Sequence, residues 1–160
     1  MYKRQGLDYG WDLKVDSLGD AWVVGQTGST DFPVTHDALQ SSLANPPDNT
    51  GNGPFDAFIT VFDPDGGLLY GTYLGGNGDD RAFGIALDPE GHAHIEGYTS
   101  STDLVTINAI RGEHDESLGL DHAQGDGDYF LADMTVDGGL DFLSYIGGSG
   151  AENNLSLIHI

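Results

Sequence analysis

The chain is a tandem repeat without a gap, in which residues 9–80 recur as 81–152. Val15-Asp16, Gly19, Ala21, Gly25, Thr27 and Ser29-Thr30-Asp31 recur as Leu87-Asp88, Gly91, Ala93, Gly97, Thr99 and Ser101-Thr102-Asp103. Asp56-Ala57-Phe58 recurs as Asp128-Tyr129-Phe130, and Asp65-Gly66-Gly67-Leu68 as Asp137-Gly138-Gly139-Leu140. Tyr73-Leu74-Gly75-Gly76 recurs as Tyr145-Ile146-Gly147-Gly148. A repeat this long means that each copy is one supersecondary unit, which buries its apolar faces by stacking on a neighbour.

Four short segments in each copy alternate or run apolar and are rich in Val, Ile, Phe, Tyr and Thr, the residues that fit a pleated, half-buried surface. In the first copy they cover 10–16, 20–27, 56–63 and 67–74; in the second, 82–88, 92–99, 128–135 and 139–146. Ser17-Leu18-Gly19 and Pro64-Asp65-Gly66 carry tight-hairpin chemistry, as do Pro89-Glu90-Gly91 and Asp137-Gly138. The second-to-third connection is instead about 28 residues long in each copy, far beyond an ordinary hairpin loop. Thr35 to Leu43 within it reads as a short helix with Thr35 as N-cap.

The predicted fold is all-β, a β-propeller fragment of two four-stranded antiparallel blades: 9–80 the first, 81–152 the second, with 1–8 closing a preceding blade. In a meander, successive connections alternate between the two ends of the sheet. Both tight hairpins therefore share one end, and the long loop and the GGNGDD step into the next copy share the other. Asp31, Asp37, Asp48, Asp79, Asp80, Asp103, Glu113, Asp115, Glu116, Asp121 and Asp126 all gather at that loop end. Long loops on a rigid scaffold are where binding sits, so this is the expected functional surface.

The strings GIALDPEGHAHIEGYTSSTD and DAFITVFDPDGGLLYGTYLGGNGDD resemble the bacterial beta-propeller repeat (SBBP) family, and less closely NHL-type repeats. The resemblance spans nearly all of 6–152. It implies a propeller, nominally seven-bladed, in secreted or cell-surface bacterial proteins, and it implies no particular activity. The second copy departs from it where Phe32-Pro33 becomes Leu104-Val105 and Asp79-Asp80 becomes Ala151-Glu152. Met1–Gln5 and Asn153–Ile160 fall outside the pattern. Both resemble translated adapter read-through and are expected to be non-native; a native tail and the first strand of a third unit are the alternative. The chain is then expected to be a piece of a longer array, and two blades alone are expected to be poorly stable.

A formal net charge of −21 with only five Lys plus Arg argues against nucleic-acid or anionic-lipid partners. No apolar run is long enough to span a membrane. The acids suit either a generally acidic surface of halophile type or calcium sites, and many sit in turns, where Asp serves the backbone. The absence of cysteine removes disulfides, thiol catalysis and zinc-thiolate sites.

Three metal candidates follow. Gly75-Gly76-Asn77-Gly78-Asp79-Asp80 fits the calcium-binding GGxGxD pattern but lacks tandem nine-residue spacing, and reads as a turn between blades. Asp121, Asp126 and Asp128 offer hard oxygens suited to calcium, although the bidentate glutamate of the full loop motif is missing. His92, His94 and Glu96 alternate along one strand and so share a side, a spacing that suits a divalent transition metal. Their first-copy counterparts Asp20, Trp22 and Val24 read as ordinary blade-packing surface. No nucleophile elbow, positioned carboxylate pair or sialidase Asp box is present.

The expected function is a non-catalytic binding or structural module recognising an unknown protein or carbohydrate through the loop end, beside neighbouring blades of the same chain. It has no resident cofactor unless calcium serves as one. The alternatives are a propeller hydrolase or lyase whose site lies in other blades, and a calcium-dependent adhesion module.

Overall fold

The computed structural model describes residues 6–46, 53–110, 112, 127–135 and 137–147. It contains two four-stranded antiparallel sheets, and among the described residues there is no helix. The first sheet runs β1 (Asp8–Val15), β2 (Ala21–Thr27), β3 (Asp56–Phe62) and β4 (Leu68–Leu74) in spatial as in chain order. The second repeats this as β5 (Asp80–Leu87), β6 (Ala93–Thr99), β7 (Asp128–Met134) and β8 (Leu140–Ile146). Every strand boundary falls at the repeat-equivalent position of the other sheet. The first strand of each sheet (β1 and β5, the inner strands, at the edges where the two sheets meet) starts two residues before the apolar pattern does, because Asp8 and Asp80 already pair with Thr27 and Thr99.

The irregularities repeat as well. A register shift at Gly10/Asp12 recurs at Ala82/Gly84, and one at Val61/Phe62 recurs at Asp133/Met134. Both hairpins of each sheet turn on a glycine with positive φ: Gly19 at 90° and Gly91 at 92°, Gly66 at 86° and Gly138 at 82°. Asp16 shows why aspartate precedes such a turn: its Oδ1 accepts the Leu18 and Asp20 N–H groups at 2.8 and 2.9 Å. Asp63 does the same for Asp65 and Gly67. Several of the acids thus serve the backbone.

The core lies between the sheets. Trp22, Val24, Val61 and Tyr70 from the first pack with Ile85, Ile95, Ala132 and Met134 from the second, all buried. Strand β5 crosses β1, β2 and β3, so the inner strands of the two sheets are neighbours. The Trp11 and Phe83 rings meet edge to face at 5.5 Å, and Asp12 Oδ2 accepts the Ile85 N–H at 3.2 Å. Blade-like sheets stack in this way, each covering a face that the other could not bury alone.

The helix expected over Thr35–Leu43 does not form. That segment instead lies along the outer strand of the first sheet: Thr35 N–H donates to Gly71 O and Tyr73 N–H to Gln40 O. Strand β4 leaves one row of backbone groups unpaired at the sheet edge, and capturing it outweighs local helix propensity. The second copy repeats the contact as a two-way bridge between Ile107 and Leu143.

Candidate functional site

The link between the sheets and the long loop do meet at one end, and they are tied together there. Backbone N–H groups of the link are captured in succession by the Ser-Ser-Thr-Asp turn of the second sheet. Asn77 N–H donates to Asp103 Oδ1 at 2.7 Å, Gly78 N–H to Ser101 Oγ and Asp79 N–H to Ser100 Oγ, both at 2.8 Å. Thr102 N–H returns a bond to Asn77 Oδ1 at 3.0 Å. The first long loop closes on the same link: Phe55 N–H donates to Asp79 Oδ1 at 2.9 Å, and Asp80 N–H to Phe55 O at 2.7 Å. Arg81 lies over the Phe55 ring at 5.9 Å.

Asp80 is the centre of this junction. Its side chain is fully buried, and Oδ2 accepts the Ser101 hydroxyl at 2.7 Å and the Gly76 N–H at 2.8 Å. The Thr99 hydroxyl also acts on the carboxylate, but outside hydrogen-bond geometry, so Oδ1 keeps no partner. Burial pushes the Asp80 carboxyl up to about 7 against the pull of these donors, with a smaller push from Asp56. Asp56, at the head of β3, is also fully buried. Its Oδ2 accepts Gln40 Nε2 at 2.6 Å and Ala44 N–H at 2.9 Å, while Oδ1 has no partner. Burial raises it to about 6.

These carboxylates hold chain. Gly75 leaves the space that the Asp56 carboxylate fills, since a Cβ there would fall 2.7 Å from Oδ1. In the first copy Asp8 plays the part of Asp80, with Thr27 and Ser29 as donors. This pairing of an Asp opening the inner strand with a Thr-x-Ser closing the next was missed in the sequence. Its signal is the recurrence of all three residues at the same 72-residue interval.

Tyrosines fix the turns above. The Tyr73 hydroxyl donates to Ser29 O at 2.7 Å and accepts the Phe32 N–H at 3.2 Å. Tyr145 repeats this with Ser101 O and Leu104 N–H, both at 2.9 Å. Tyr73→Phe would leave both loop groups without a buried partner. It is expected to cost about 1–3 kcal/mol in a denaturant melt, with faster exchange of the Phe32 amide proton. An unchanged melt and exchange rate would contradict the role.

The other candidates separate. Asp121 and Asp126 lie outside the described residues. Asp128 heads β7, is buried, and stands where Asp56 stands in the first sheet; a Cβ on Gly147 would meet its Oδ1 at 2.2 Å. His92 and His94 do converge, on an acid other than Glu96. His92 Nδ1 lies 3.4 Å and His94 Nδ1 3.8 Å from Asp133 Oδ1, and His94 Nε2 lies 3.5 Å from Asp88 Oδ2. The first sheet has the matching contact, Trp22 Nε1 donating to Asp16 Oδ2 at 3.4 Å. Glu96 instead lies over Gly84, where a Cβ would fall 2.9 Å from Oε1. Its Oε2 is buried without a partner, and burial, then Asp12, raises its carboxyl. Among the described residues, no three His, Asp or Glu side chains are placed to hold a metal ion. Also among them, no helix is long and apolar enough to cross a membrane.

No protein-family model matches the chain, and no curated protein matches it. The geometry of the loop end therefore carries the functional reading.

Proposed function

We propose that the two sheets are consecutive blades of a bacterial β-propeller of the SBBP kind. In this reading they form a non-catalytic binding or structural module that is secreted or held at the cell surface, where the loop end recognises a protein or carbohydrate. The observation that supports it is the division of labour between the two ends of the sheets. The hairpin end is minimal and alike in both copies. The loop end carries the long connections, and their bases are braced by Tyr73, Tyr145 and the Asp80 junction. A braced base with a polar, exposed rim (Thr30, Asp31, Asn77 and Thr102) is how a rigid scaffold presents a recognition surface. The buried carboxylates beneath that rim hold chain, Asp80 through the Gly76 N–H and the Ser101 hydroxyl and Asp56 through the Ala44 N–H and the Gln40 amide, a bracing role that favours binding over catalysis.

The test is a screen of the soluble chain against glycan and extracellular-protein arrays, repeated with Asp31→Lys at the loop end and Glu90→Lys at the hairpin end. Binding lost only with Asp31→Lys is expected. Binding lost only with Glu90→Lys, or turnover of an arrayed glycan, would overturn the reading.

A further inference from the structure

The inner strands carry aromatic side chains that the core does not use. The register shifts at Gly10/Asp12 and Ala82/Gly84 set apart Trp11 and Phe83, equivalent positions of the repeat. A bulge re-aims the side chain it carries. Here the two rings meet edge to face at 5.5 Å between the sheets, and Trp11 Nε1 donates to Gln26 Oε1 at 3.1 Å. The Tyr9 ring lies beside Trp11, inclined by 26°, and Phe55, from the end of the long loop, meets Tyr9 edge-on at 6.4 Å. The four rings form one patch toward the loop end of β1 and β5. Trp11 is 51% and Tyr9 44% exposed, against 2% for Trp22 in the core. Tyr9 pairs with Gln26 and Asp12 with Val24, so the patch belongs to the side of the first sheet that faces the second. It does not involve the opposite side of the first sheet, where Leu13 pairs with Val23.

One corner of the patch already holds a cation of the chain itself. Arg81, the second-copy counterpart of Tyr9, lies over the Phe55 ring at 5.9 Å and 3.6 Å from Asp79 Oδ2. A planar guanidinium suits this place between a ring face and a carboxylate. The charge around the other rings has the same sign. Glu96 lies over Gly84, the residue after Phe83, with Oε2 unpartnered, and Asp12 acts on its carboxyl. Lys14 is held by Asp12 at 2.9 Å. With 26 Asp plus Glu against five Lys plus Arg, the chain has few cations of its own to bring to the exposed rings.

We infer that the Tyr9–Trp11 patch binds an arginine-bearing peptide segment of a partner protein, its guanidinium stacked on the exposed rings as Arg81 is on Phe55. A neutral saccharide would use the same rings but gain nothing from the net charge of −21, and an anionic partner is repelled by it. The inference rests on the reading of the loop end as a recognition surface, and selects a basic protein segment over a carbohydrate.

Acrylamide quenching of the whole chain is the first test. Trp11 should be quenched and Trp22 protected, and Trp11→Phe should remove the accessible component. Calorimetric titration with a peptide of alternating Arg and Gly should then show binding that weakens as salt rises. The Lys counterpart should bind more weakly, and the Gln counterpart not at all. Trp11→Ala and Tyr9→Ala, at exposed positions, should each lower the affinity roughly tenfold, while Trp11→Phe keeps most of it. An unquenched Trp11, equal binding of the Gln peptide, or affinity indifferent to both alanine variants would overturn the inference. So would tighter binding of a neutral glucan oligosaccharide to the same rings. If the Arg peptide fails while array binding still depends on Asp31, the inference falls and the reading of the loop end stands. If Asp31→Lys changes nothing either, both fall.

Discussion

Gly97→Ala is expected to destabilise the chain by about 3 kcal/mol or more, a large fraction of what a small domain has. A Cβ at this position would sit 2.1 Å from the Arg81 carbonyl oxygen and 2.5 Å from the Phe130 ring. The ring could tilt; the carbonyl is backbone of β5, the strand that crosses three strands of the first sheet. Relief therefore requires moving the inner strand away, which opens the core between the sheets as well as the local pair. Gly25 stands in the same relation to the Tyr9 carbonyl, at 2.0 Å, and to Phe58. There, among the described residues, no sheet packs on that face of the inner strand, so Gly25→Ala is expected to cost less. The control is Gly10→Ala. The nearest atom to its Cβ would be 3.9 Å away, and the second copy already has Ala82 at that place. It should be neutral or slightly stabilising, because alanine narrows the unfolded ensemble. Denaturant midpoints of the three variants measure the order. Equal midpoints for Gly97→Ala and Gly10→Ala would mean that the inner strand does not run where the bulge places it.

These glycines show what could be read from the sequence. Their recurrence at 25 and 97 marked a repeated backbone constraint, and the period, strand count and sharing of ends were all legible, because each rests on alternation and turn chemistry within one copy. The boundaries of the inner strands were not. Asp8 and Asp80 are polar, and the partners that draw them into the sheet, Thr27 and Thr99, lie at the far end of the next strand, beyond the hairpin. The helix at Thr35–Leu43 failed for the same reason: its local propensity was real, and the competitor was an unpaired sheet edge reached only after the rest of the long loop and β3. The histidine candidate was half legible. Period-two spacing put His94 and Glu96 on one side of β6, but could not foresee that Asp133, opposite His94 on β7, would come within 3.8 Å of the imidazole. Periodicity finds faces; pairing across a long loop decides which charges meet.

Asp80→Asn is expected to make the chain more stable above pH 7 and to flatten its stability between pH 4 and 7. The carboxyl of Asp80 sits at about 7 in the fold, against an ordinary value of 3.8. A raised carboxyl means that the folded state holds its proton more tightly than the unfolded chain does. The stabilisation is therefore complete below 3.8, and is lost as pH rises through the interval to about 7. A shift of this size corresponds to roughly 4 kcal/mol across the window. Asp56, raised to about 6, acts with the same sign over a narrower range. Asparagine keeps an oxygen for the Gly76 N–H and the Ser101 hydroxyl, and turns an amide toward the side where Oδ1 has no partner. Adding Asp56→Asn should remove most of what slope remains. General repulsion among the surface acids also favours low pH, but it is screened by salt, whereas a buried carboxylate is screened much less. Denaturant melts from pH 4 to 8 at low and high salt separate the two. A wild-type slope that persists in high salt and disappears in Asp80→Asn supports the junction as described. Parallel curves for wild type and variant would mean that Asp80 is solvated and that the link between the sheets is held by something else.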